Sequence, residues 1–252
     1  MEAEPARLFE PSISREVRAA LRFPLDTQVE NRRLLSALAT SNEKLDVCLL
    51  AGTMVESLRI DRGRLVGLET SRGVIATECA VIAGGAWSSS LKNSPHLSNL
   101  RIKPVRGQML CFESNPQICE HVIYNPRGYL VPRRDGRLLA GSTTEQAGFD
   151  KRVTAAGVQS ILSAALEISP QVGSLALTAS WAGLRPCAPD NLPVLGACAE
   201  IEGIFYATGH YRNGILLAPI TAELIARSMV DGLISPMLSI FSPDRFGVVS
   251  VN

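Results

Sequence analysis

Residues 204–219 read IFYATGHYRNGILLAP, and this stretch decides the fold of the chain. A short apolar run ends at Gly209, a turn bounded by two glycines covers residues 210–214, and an apolar helix follows. This order is typical of a strand, a turn and a helix. The first amides of a helix lack partners within it and lie at the positive end of its dipole. Such a turn therefore suits a ligand that carries or develops negative charge.

The composition indicates a cytoplasmic protein with no nucleic-acid or membrane partner. The chain has 252 residues, of which 46% are hydrophobic, so one large or two small domains are expected. The 25 basic residues nearly balance the 24 acidic ones and form no long run. No apolar run reaches the ~18 residues of a membrane span, and the charged first residues do not resemble a signal peptide.

The cysteines and histidines do not indicate a metal site. The six cysteines contain no C-x-x-C pair, and the chain has three histidines. The cysteines are interpreted as small buried apolar residues in a reducing compartment.

Local patterns predict the elements before residue 97. Residues 27–30, TQVE, have capping-box spacing, and a helix is expected to follow to about residue 42. Its apolar face is Val29, Leu34, Leu35 and Leu38. A buried strand is expected at 47–51, and a β-meander is expected at 55–60, 65–70 and 74–78. Residues 80–87 should form an apolar strand that ends in a glycine-containing turn.

A β-rich block is expected from about residue 97 to 195, with strands at 105–112, 129–132, 137–141, 175–181 and 192–195. A hairpin turn is predicted at residues 134–136, and Thr154 is expected to cap a helix. The last helix should include residues 221–230, with Pro219 in its first turn. The predicted fold class is mixed α/β, because parallel-type elements surround an antiparallel block.

Arg185 is a candidate for binding the carboxylate group of a small molecule. It lies in WAGLRP, residues 181–186, between apolar residues and a proline. A guanidinium held at a strand end can bind a carboxylate through two hydrogen bonds. The alternative is an ordinary surface arginine beside a turn.

Four further features are weaker when each stands alone. AGGAW at residues 83–87 could be a simple loop, and RGQ at 106–108 is a short tripeptide. Tyr129, in GYLVP, could be a core aromatic residue, and Val55 could be a plain strand residue. Their order along the chain is more informative than any one of them.

Taken in order from Val55 to residue 219, with DNLPVLG at 190–196, these motifs resemble the FAD-dependent amino-acid oxidase (DAO) superfamily. The sequences WAGLRP and GHYRNGILLAP are similar to those of its glycine oxidase branch. The resemblance implies a partial FAD-binding Rossmann-like domain at 29–96 and 196–232. It also implies an antiparallel β-rich substrate-binding domain at 1–28 and 97–195.

The resemblance also implies the site. Arg185 would bind the substrate carboxylate, Tyr129 would hydrogen-bond to it, and Arg212 would lie nearby. Residues expected to contact the cofactor are Val55, Ala83, Gly84, Gly85, Trp87, Arg106, Gly107, Gln108, Gly209, His210, Tyr211, Arg212, Asn213, Gly214 and Ile215. For His210 the backbone N–H is favoured over the ring. No cysteine matches a site of covalent flavin attachment, so FAD should bind non-covalently.

The chain also departs from the family pattern. It has no G-x-G-x-x-G, and no two of its glycines have G-x-G spacing, so the phosphate-binding turn is missing. The isolated chain is therefore expected to bind FAD weakly or not at all. A family methionine near the substrate is matched by Thr144, which would make the pocket more polar.

Three hypotheses follow from the resemblance. The first is oxidation of glycine or small D- or N-methyl amino acids, linked to the thiazole of thiamine. The second is a sarcosine-type oxidase or a D-amino-acid dehydrogenase. The third is a truncated, inactive fragment, or one subunit whose dinucleotide-binding half lies elsewhere. The electron acceptor would be dioxygen or another acceptor, and association into a homo-oligomer stays open.

Overall fold

The structure is a computed structural model that describes residues 1–91 and 100–246. Its helices are α1 (Ala3–Phe9), α2 (Asn31–Lys44), α3 (Ala155–Ile168), α4 (Gly214–Val230) and α5 (Met237–Phe241). Its strands are β1 (Val55–Asp61), β2 (Arg64–Thr70), β3 (Gly73–Ala76), β4 (Ala80–Ile82), β5 (Lys103–Glu113), β6 (Ile123–Asn125), β7 (Gly128–Pro132), β8 (Arg137–Gly141), β9 (Leu177–Cys187), β10 (Val194–Ala197) and β11 (Ile204–Thr208). Short 3-10 segments cover Gly85–Ser90, Pro170–Ser174 and Pro243–Phe246.

The chain forms two compact units, each made of two segments. Unit 1 contains Met1–Val29 and Arg106–Leu184, and unit 2 contains Glu30–Val105 and Arg185–Asn252. The boundaries of the units thus fall near α2 and within β5 and β9. The domain boundary predicted at residues 96 and 97 lies outside the described residues.

Unit 1 is built on an antiparallel sheet covered by one helix. The strands lie in the order β6-β7-β8-β5-β9, and β7 pairs with β8 so that Leu130 is opposite Ala140. Leu110, Leu130 and Ala140 lie on one sheet face because side chains alternate along a strand. That face packs against Ile161 and other apolar residues of α3 to form the core of the unit.

The cap predicted at Thr154 is confirmed. Its side-chain oxygen accepts a hydrogen bond from Gly157 N at 3.1 Å, which satisfies one of the free amides in the first turn of α3. The hairpin turn predicted at residues 134–136 is also present, since Arg133 N donates to Arg137 O at 2.7 Å.

Unit 2 contains two three-stranded sheets. In the first, β11 pairs with β10 in antiparallel fashion and with β4 in parallel fashion, in the order β10-β11-β4. The second is the predicted β-meander β1-β2-β3. Leu58 and Leu65 of the meander share a buried core with Ile204 and Tyr206 of β11.

The capping box predicted at residues 27–30 is wrong. Helix α2 begins at Asn31, and Glu30 at its N-cap position makes no side-chain capping bond. Gln28 instead donates to Pro132 O at 2.7 Å, while Arg133 donates to Gln28 Oε1 and to Val29 O. These tertiary bonds hold residues 28 and 29 outside the helix, so they compete with the helix start that the local pattern favours.

The buried strand predicted at residues 47–51 is also wrong. No strand is assigned there, and the side chains of Val47, Leu49 and Leu50 are about half exposed. A strand exists only where a neighbour satisfies its backbone groups, and no described strand pairs with this segment. The apolar face predicted for α2 is exposed as well, because no described segment covers it. Leu35 is 66% exposed, and no residue of the helix is buried.

The position predicted for Pro219 needs correction as well. Helix α4 begins at Gly214, so Pro219 lies inside the helix and not in its first turn. A proline there removes one i to i−4 hydrogen bond, toward the carbonyl of Ile215. The helix nevertheless continues to Val230 because its inner residues, such as Ile225, pack against Leu195 and Leu238.

Within residues 1–91 and 100–246, none of the helices has the length and apolar character needed to span a membrane.

Candidate functional site

The turn at residues 209–214 connects β11 to α4 in unit 2. Gly209 has φ 73° and Tyr211 has φ 50°, so the backbone reverses through the left-handed region. Asn213 N donates to His210 O at 2.9 Å, which closes the turn. Tyr211 N donates to Pro186 O at 2.8 Å, and Cys187 forms an antiparallel bridge with His210. The turn is therefore held against the end of β9.

Arg185 immediately precedes this contact. Because consecutive Cα atoms are about 3.8 Å apart, the bond to Pro186 brings the Arg185 Cα within about 9 Å of the Tyr211 amide. An arginine side chain adds flexible reach to that distance. The half-buried Arg185 and the turn are thus close enough for one small molecule to contact both.

The start of α4 supplies hydrogen-bond donors next to the same turn. By helix geometry the amides of Gly214, Ile215 and Leu216 have no carbonyl partner within the helix. Ile215 is 52% exposed, and Arg212 and Asn213 are exposed as well. This end of the helix can therefore bind an acceptor that carries negative charge.

The second glycine turn, residues 83–87, lies at the same sheet edge. Strands β4 and β11 are parallel, so the segments that follow them leave the sheet on the same side. Ser88 Oγ and Thr208 Oγ1 share a buried hydrogen bond of 2.6 Å, and Thr208 Oγ1 also donates to Gly85 O at 3.3 Å. Ligands of open parallel sheets bind at this edge, so the structure brings both predicted cofactor turns together.

The surface of the second turn is open. Ala83 and Gly84 are exposed, and Trp87 is 52% exposed. Gly85 has φ 54°, and a Cβ built on it would meet no atom within 4 Å. The turn therefore leaves room for a ligand to approach the backbone closely.

Val55 occupies another position in unit 2. It is the first residue of β1 and pairs with Thr70, so it lies in the meander sheet and not in the sheet that carries the two turns. Its predicted contact with the cofactor stays a prediction.

His210 is partly buried beside α4. Its Nε2 lies 3.0 Å from Thr221 Oγ1. Burial lowers the pKa of the imidazole below its ordinary value of 6.5, because the charged form is poorly solvated. The ring is therefore neutral at pH 7, consistent with a structural role for the side chain.

The side chains of Arg106 and Gln108 face a polar network within unit 1. Arg106 is 6% exposed; its guanidinium contacts Glu145 at 2.5 Å and Asp150 at 3.1 Å. Buried Gln108 donates to Glu145 Oε1 and Thr154 Oγ1, and it accepts from Thr154 N. Because these two side chains are bonded within unit 1, a cofactor can be contacted by the RGQ segment only through its backbone atoms.

Hydrogen bonding sets the charges of this network. Burial would raise the pKa of Glu145, but hydrogen bonds from Thr143, Arg106 and Gln108 outweigh that effect and leave its pKa below 4.5. Bonds from Arg152, with a smaller contribution from Arg106, lower the pKa of Asp150 to about 2. Both carboxylates are ionised at neutral pH, so their negative charges balance the positive charge of the Arg106 guanidinium inside the unit.

Tyr129 lies half-buried on β7 in unit 1. Its hydroxyl donates to Met109 Sδ at 3.3 Å, and its ring centroid is 5.6 Å from that of Tyr124. The hydroxyl is therefore directed along the sheet surface and away from the hydrophobic core on α3.

Sequence reasoning did not single out Met109, Gly141 or Thr208. The turn at residues 134–136 fixes the register of β7 and β8, so counting back from it would have placed Gly141 opposite Tyr129. The other two depend on pairings between segments far apart in the chain, for which the sequence carries no local signal.

These features fit the redox end of a flavin better than its phosphate end. The donors at residues 214–216 suit a planar ring that gains negative charge, and the open backbone at Gly85 leaves room for another part of the ligand. The sequence offers no G-x-G-x-x-G for a pyrophosphate. Residues that would hold the flavin ring are thus present, and the phosphate-binding motif is not among these 252 residues.

Comparison with known proteins agrees with this geometry. Residues 1–228 match the family model described as FAD dependent oxidoreductase (DAO). The chain is 36% identical over 251 residues to the bifunctional protein ThiO/ThiG of Synechocystis sp., covering 98% of this chain and 37% of that protein. It is 33% identical over 247 residues to the hydrogen cyanide synthase subunit HcnC of Pseudomonas aeruginosa, covering 98% of this chain and 59% of that one.

A solved structure gives the same result for the fold. The glycine oxidase of Bacillus cereus ATCC 14579 superposes with a TM-score of 0.90 at 33% identity, covering 95% of this chain and 66% of that chain. The mixed α/β fold is confirmed, since such neighbours are FAD-dependent oxidoreductases with a Rossmann-like fold. The chain spans only part of the length of each of these relatives.

The ordered motifs predicted this relationship, and the family match, the identities and the superposition confirm it. The chain belongs to the FAD dependent oxidoreductase (DAO) family and resembles its glycine oxidase (ThiO) branch.

Proposed function

We propose that this chain forms the substrate-binding and flavin-facing part of an FAD-dependent enzyme that oxidises glycine or a small D- or N-methyl amino acid. The observation that carries the proposal is the bond between Tyr211 N and Pro186 O, because it holds the backbone beside Arg185 against a helix start. Arg185, which can bind a carboxylate, and a turn that can stabilise an anion then lie next to each other.

In this proposal Arg185 binds the substrate carboxylate and fixes the position of the α-carbon. The family resemblance also assigns Tyr129 a hydrogen bond to the substrate carboxylate. Arg212, exposed in the turn, adds positive charge nearby. Their contribution is to orient the α C–H bond, which lowers the entropic part of the barrier.

Bound FAD would supply the hydride acceptor of the reaction, and water would then hydrolyse the imine product. The amides of Gly214, Ile215 and Leu216 and the dipole of α4 would stabilise the negative charge that develops near them. The neutral His210 ring takes no part in proton transfer here; its backbone lies in the turn.

The other predicted cofactor contacts remain part of the proposal. Ala83, Gly84, Gly85 and Trp87 would lie along the ribityl and pyrophosphate region. The backbone of Arg106, Gly107 and Gln108 would approach the ring. Binding would be non-covalent, and a link to thiamine through the thiazole is supported by the similarity to the ThiO/ThiG protein.

The missing phosphate motif sets a condition on this function. We propose that the 252-residue chain alone binds FAD weakly, and that the pyrophosphate is held by a dinucleotide-binding segment outside these residues. Purification colour tests this directly. A stoichiometric flavin absorption band in the isolated chain would show that no such segment is needed.

A second candidate is favoured by the similarity to HcnC, which is named as a subunit of a larger enzyme. In that case the chain would work with a partner chain. A separate alternative is a dehydrogenase, whose electrons pass to an acceptor other than dioxygen. A substrate panel of glycine, sarcosine and D-alanine separates the candidates. Peroxide release indicates an oxidase, whereas reduction of a dye without peroxide indicates a dehydrogenase.

The decisive variant is Arg185→Ala in the flavin-loaded protein. If the chain purifies colourless, it is fused behind the dinucleotide-binding segment of a glycine oxidase. Breaking a buried charge pair costs about 2–5 kcal/mol, so kcat/KM for glycine should fall roughly thirty- to several-thousand-fold. Arg185→Lys should recover part of the loss, since a lysine retains the charge but not the planar fork.

The matched control is Arg127→Ala. Arg127 is an exposed arginine of unit 1 that pairs with Glu167, and its replacement should leave kcat/KM unchanged. An Arg185→Ala protein within threefold of the wild type would remove Arg185 from the site.

A further inference from the structure

Four side-chain positions form one row across the sheet of unit 1. Tyr124 is opposite Tyr129, Tyr129 is opposite Gly141, and Gly141 is opposite Met109. Residues directly opposite each other on antiparallel strands project from the same face. The row thus places a glycine between a tyrosine and a methionine.

The gap at Gly141 allows the two long side chains to meet. Neighbouring strands are about 4.8 Å apart, so Tyr129 and Met109 start about 10 Å apart. Nevertheless the Tyr129 hydroxyl lies 3.3 Å from Met109 Sδ. Both side chains therefore extend over the middle strand.

A side chain at residue 141 would occupy the same space. A Cβ built on Gly141 would lie 2.3 Å from Met109 Sδ and 2.8 Å from the Tyr129 hydroxyl oxygen. Neither distance is compatible with non-bonded atoms, so at least one of the two side chains would have to move. The Tyr124 ring, 5.6 Å from the Tyr129 ring, restricts movement to the other side.

This row does not belong to the hydrophobic core. The residues one position along each strand, Leu110, Leu130 and Ala140, face α3 and are buried. Tyr129 and Met109 point to the opposite face and are only half-buried. A ligand can therefore reach the hydroxyl without disturbing the core of the unit.

We propose that Gly141 is a positioning residue for Tyr129 and that Met109 is the resting acceptor of its hydroxyl. A thioether is a weak acceptor, whereas a carboxylate accepts a stronger, charge-assisted bond. A substrate carboxylate can replace the sulfur without having to break a strong bond first. This inference rests on the proposed function, in which Tyr129 binds the carboxylate.

The resting contact is tested without catalysis. Protein labelled with 13C at the methionine methyl groups gives a signal for Met109, which Met109→Leu identifies. Gly141→Ala should shift that signal, while Gly148→Ala should leave it in place because nothing lies within 4 Å of a Cβ there. An unshifted Met109 signal in Gly141→Ala would overturn the proposal.

The exchange of acceptors is tested by adding acetate, which carries the carboxylate without the amine. The Met109 signal should move on titration in the wild type, and it should move much less in Tyr129→Phe, which lacks the hydroxyl. Equal titration shifts in both proteins would show that the sulfur is not released from Tyr129 by the carboxylate.

The functional consequence is measured in the flavin-loaded protein. Gly141→Ala should raise KM for glycine about ten- to hundredfold, the value of one hydrogen bond to a charged group, with a smaller change in kcat. In the Tyr129→Phe background the same substitution should have little further effect. The double variant Gly141→Ala, Met109→Ala should recover much of the loss by freeing space.

These results separate the two proposals. If Arg185→Ala leaves kcat/KM unchanged, the proposed function fails whatever the methionine signal shows. If Arg185→Ala abolishes activity but Gly141→Ala raises KM equally with and without the Tyr129 hydroxyl, the proposed function stands and the role of Gly141 is refuted.

Discussion

Single glycines of unit 2 lie where chain segments approach each other closely. Gly203 has φ 88°, its carbonyl accepts from Ala80 N at 2.8 Å, and a Cβ on it would lie 2.0 Å from Glu78 O. That oxygen belongs to the backbone just before β4, which cannot move without breaking the parallel pairing to β11. The residue thus helps to align the two strands that carry the cofactor turns.

Gly203→Ala should therefore lower the free energy of unfolding by about 2–5 kcal/mol, the sum of left-handed strain and overpacking. Gly63→Ala is the matched control, because Gly63 has a similar φ of 79° but its nearest atom would be 4.0 Å away. It should lose only about 1–2 kcal/mol, for strain alone. Urea denaturation compares the two, and equal losses would mean that the contact with Glu78 is unimportant.

His210 makes unit 2 sensitive to pH. Its pKa is lowered by burial, so the unfolded chain binds a proton more readily than the folded one just below pH 6.5. Stability linked to this group is present above pH 6.5 and is lost as the pH falls toward the folded pKa. The melting temperature should decrease between about pH 7.5 and 5.

His210→Asn should flatten that decrease, since it removes the titrating group. NMR titration should place the His210 pKa below its ordinary value of 6.5. A His210 that titrates at or above 6.5 would contradict both expectations.

At the scale of elements, helix α3 is joined to β5 through its own cap. Thr154 accepts from Gly157 N and from Gln108 Nε2, and its amide donates to Gln108 Oε1. The same Gln108 bonds Glu145, which pairs with Arg106. The cap therefore fixes both the start of the helix and the side chains of the RGQ segment.

Thr154→Ala should cost about 1–2 kcal/mol of unfolding free energy, because it removes the capping oxygen and leaves a buried amide of Gln108 with one acceptor fewer. Thr154→Ser keeps the oxygen and should stay near the wild type. Urea denaturation followed by circular dichroism measures the difference. Similar losses in both variants would show that the methyl group, and not the oxygen, is what matters.

At the scale of the whole molecule, each unit has its own buried core, yet unit 2 exposes much apolar surface. Leu34, Leu35 and Leu38 of α2 are 36%, 66% and 52% exposed, and the segment 47–51 that follows is also largely uncovered. Surface of this kind favours association with other apolar surface. Both stretches have sequence patterns typical of buried elements.

The isolated chain should therefore self-associate. Replacing Leu35, Leu38 and Leu49 by glutamine should shift sedimentation toward the monomer and reduce binding of an apolar dye. Ser41→Gln with Asn42→Gln changes α2 without touching its apolar residues and serves as the control. A wild-type chain that sediments as a monomer at all concentrations would show that this surface is not adhesive.

The sequence alone determined the features that depend on neighbouring residues. The Thr154 cap, the turn at residues 134–136 and the strand–turn–helix at 204–219 all act over a few residues, and all three are present in the structure. The order of the motifs also determined the family, because seven agreements in sequence are hard to reach by chance.

The tertiary structure decided what depends on register and packing. Only the fold shows that Tyr211 bonds Pro186, that Arg106 and Gln108 face Glu145, and that Gly141 separates Tyr129 from Met109. It also overrides local signals where tertiary bonds compete, as at Gln28, or where no strand pairs with an apolar segment, as at residues 47–51. Local propensities are worth about 1 kcal/mol or less per residue, whereas hydrogen bonds and burial between distant segments decide which conformation is kept.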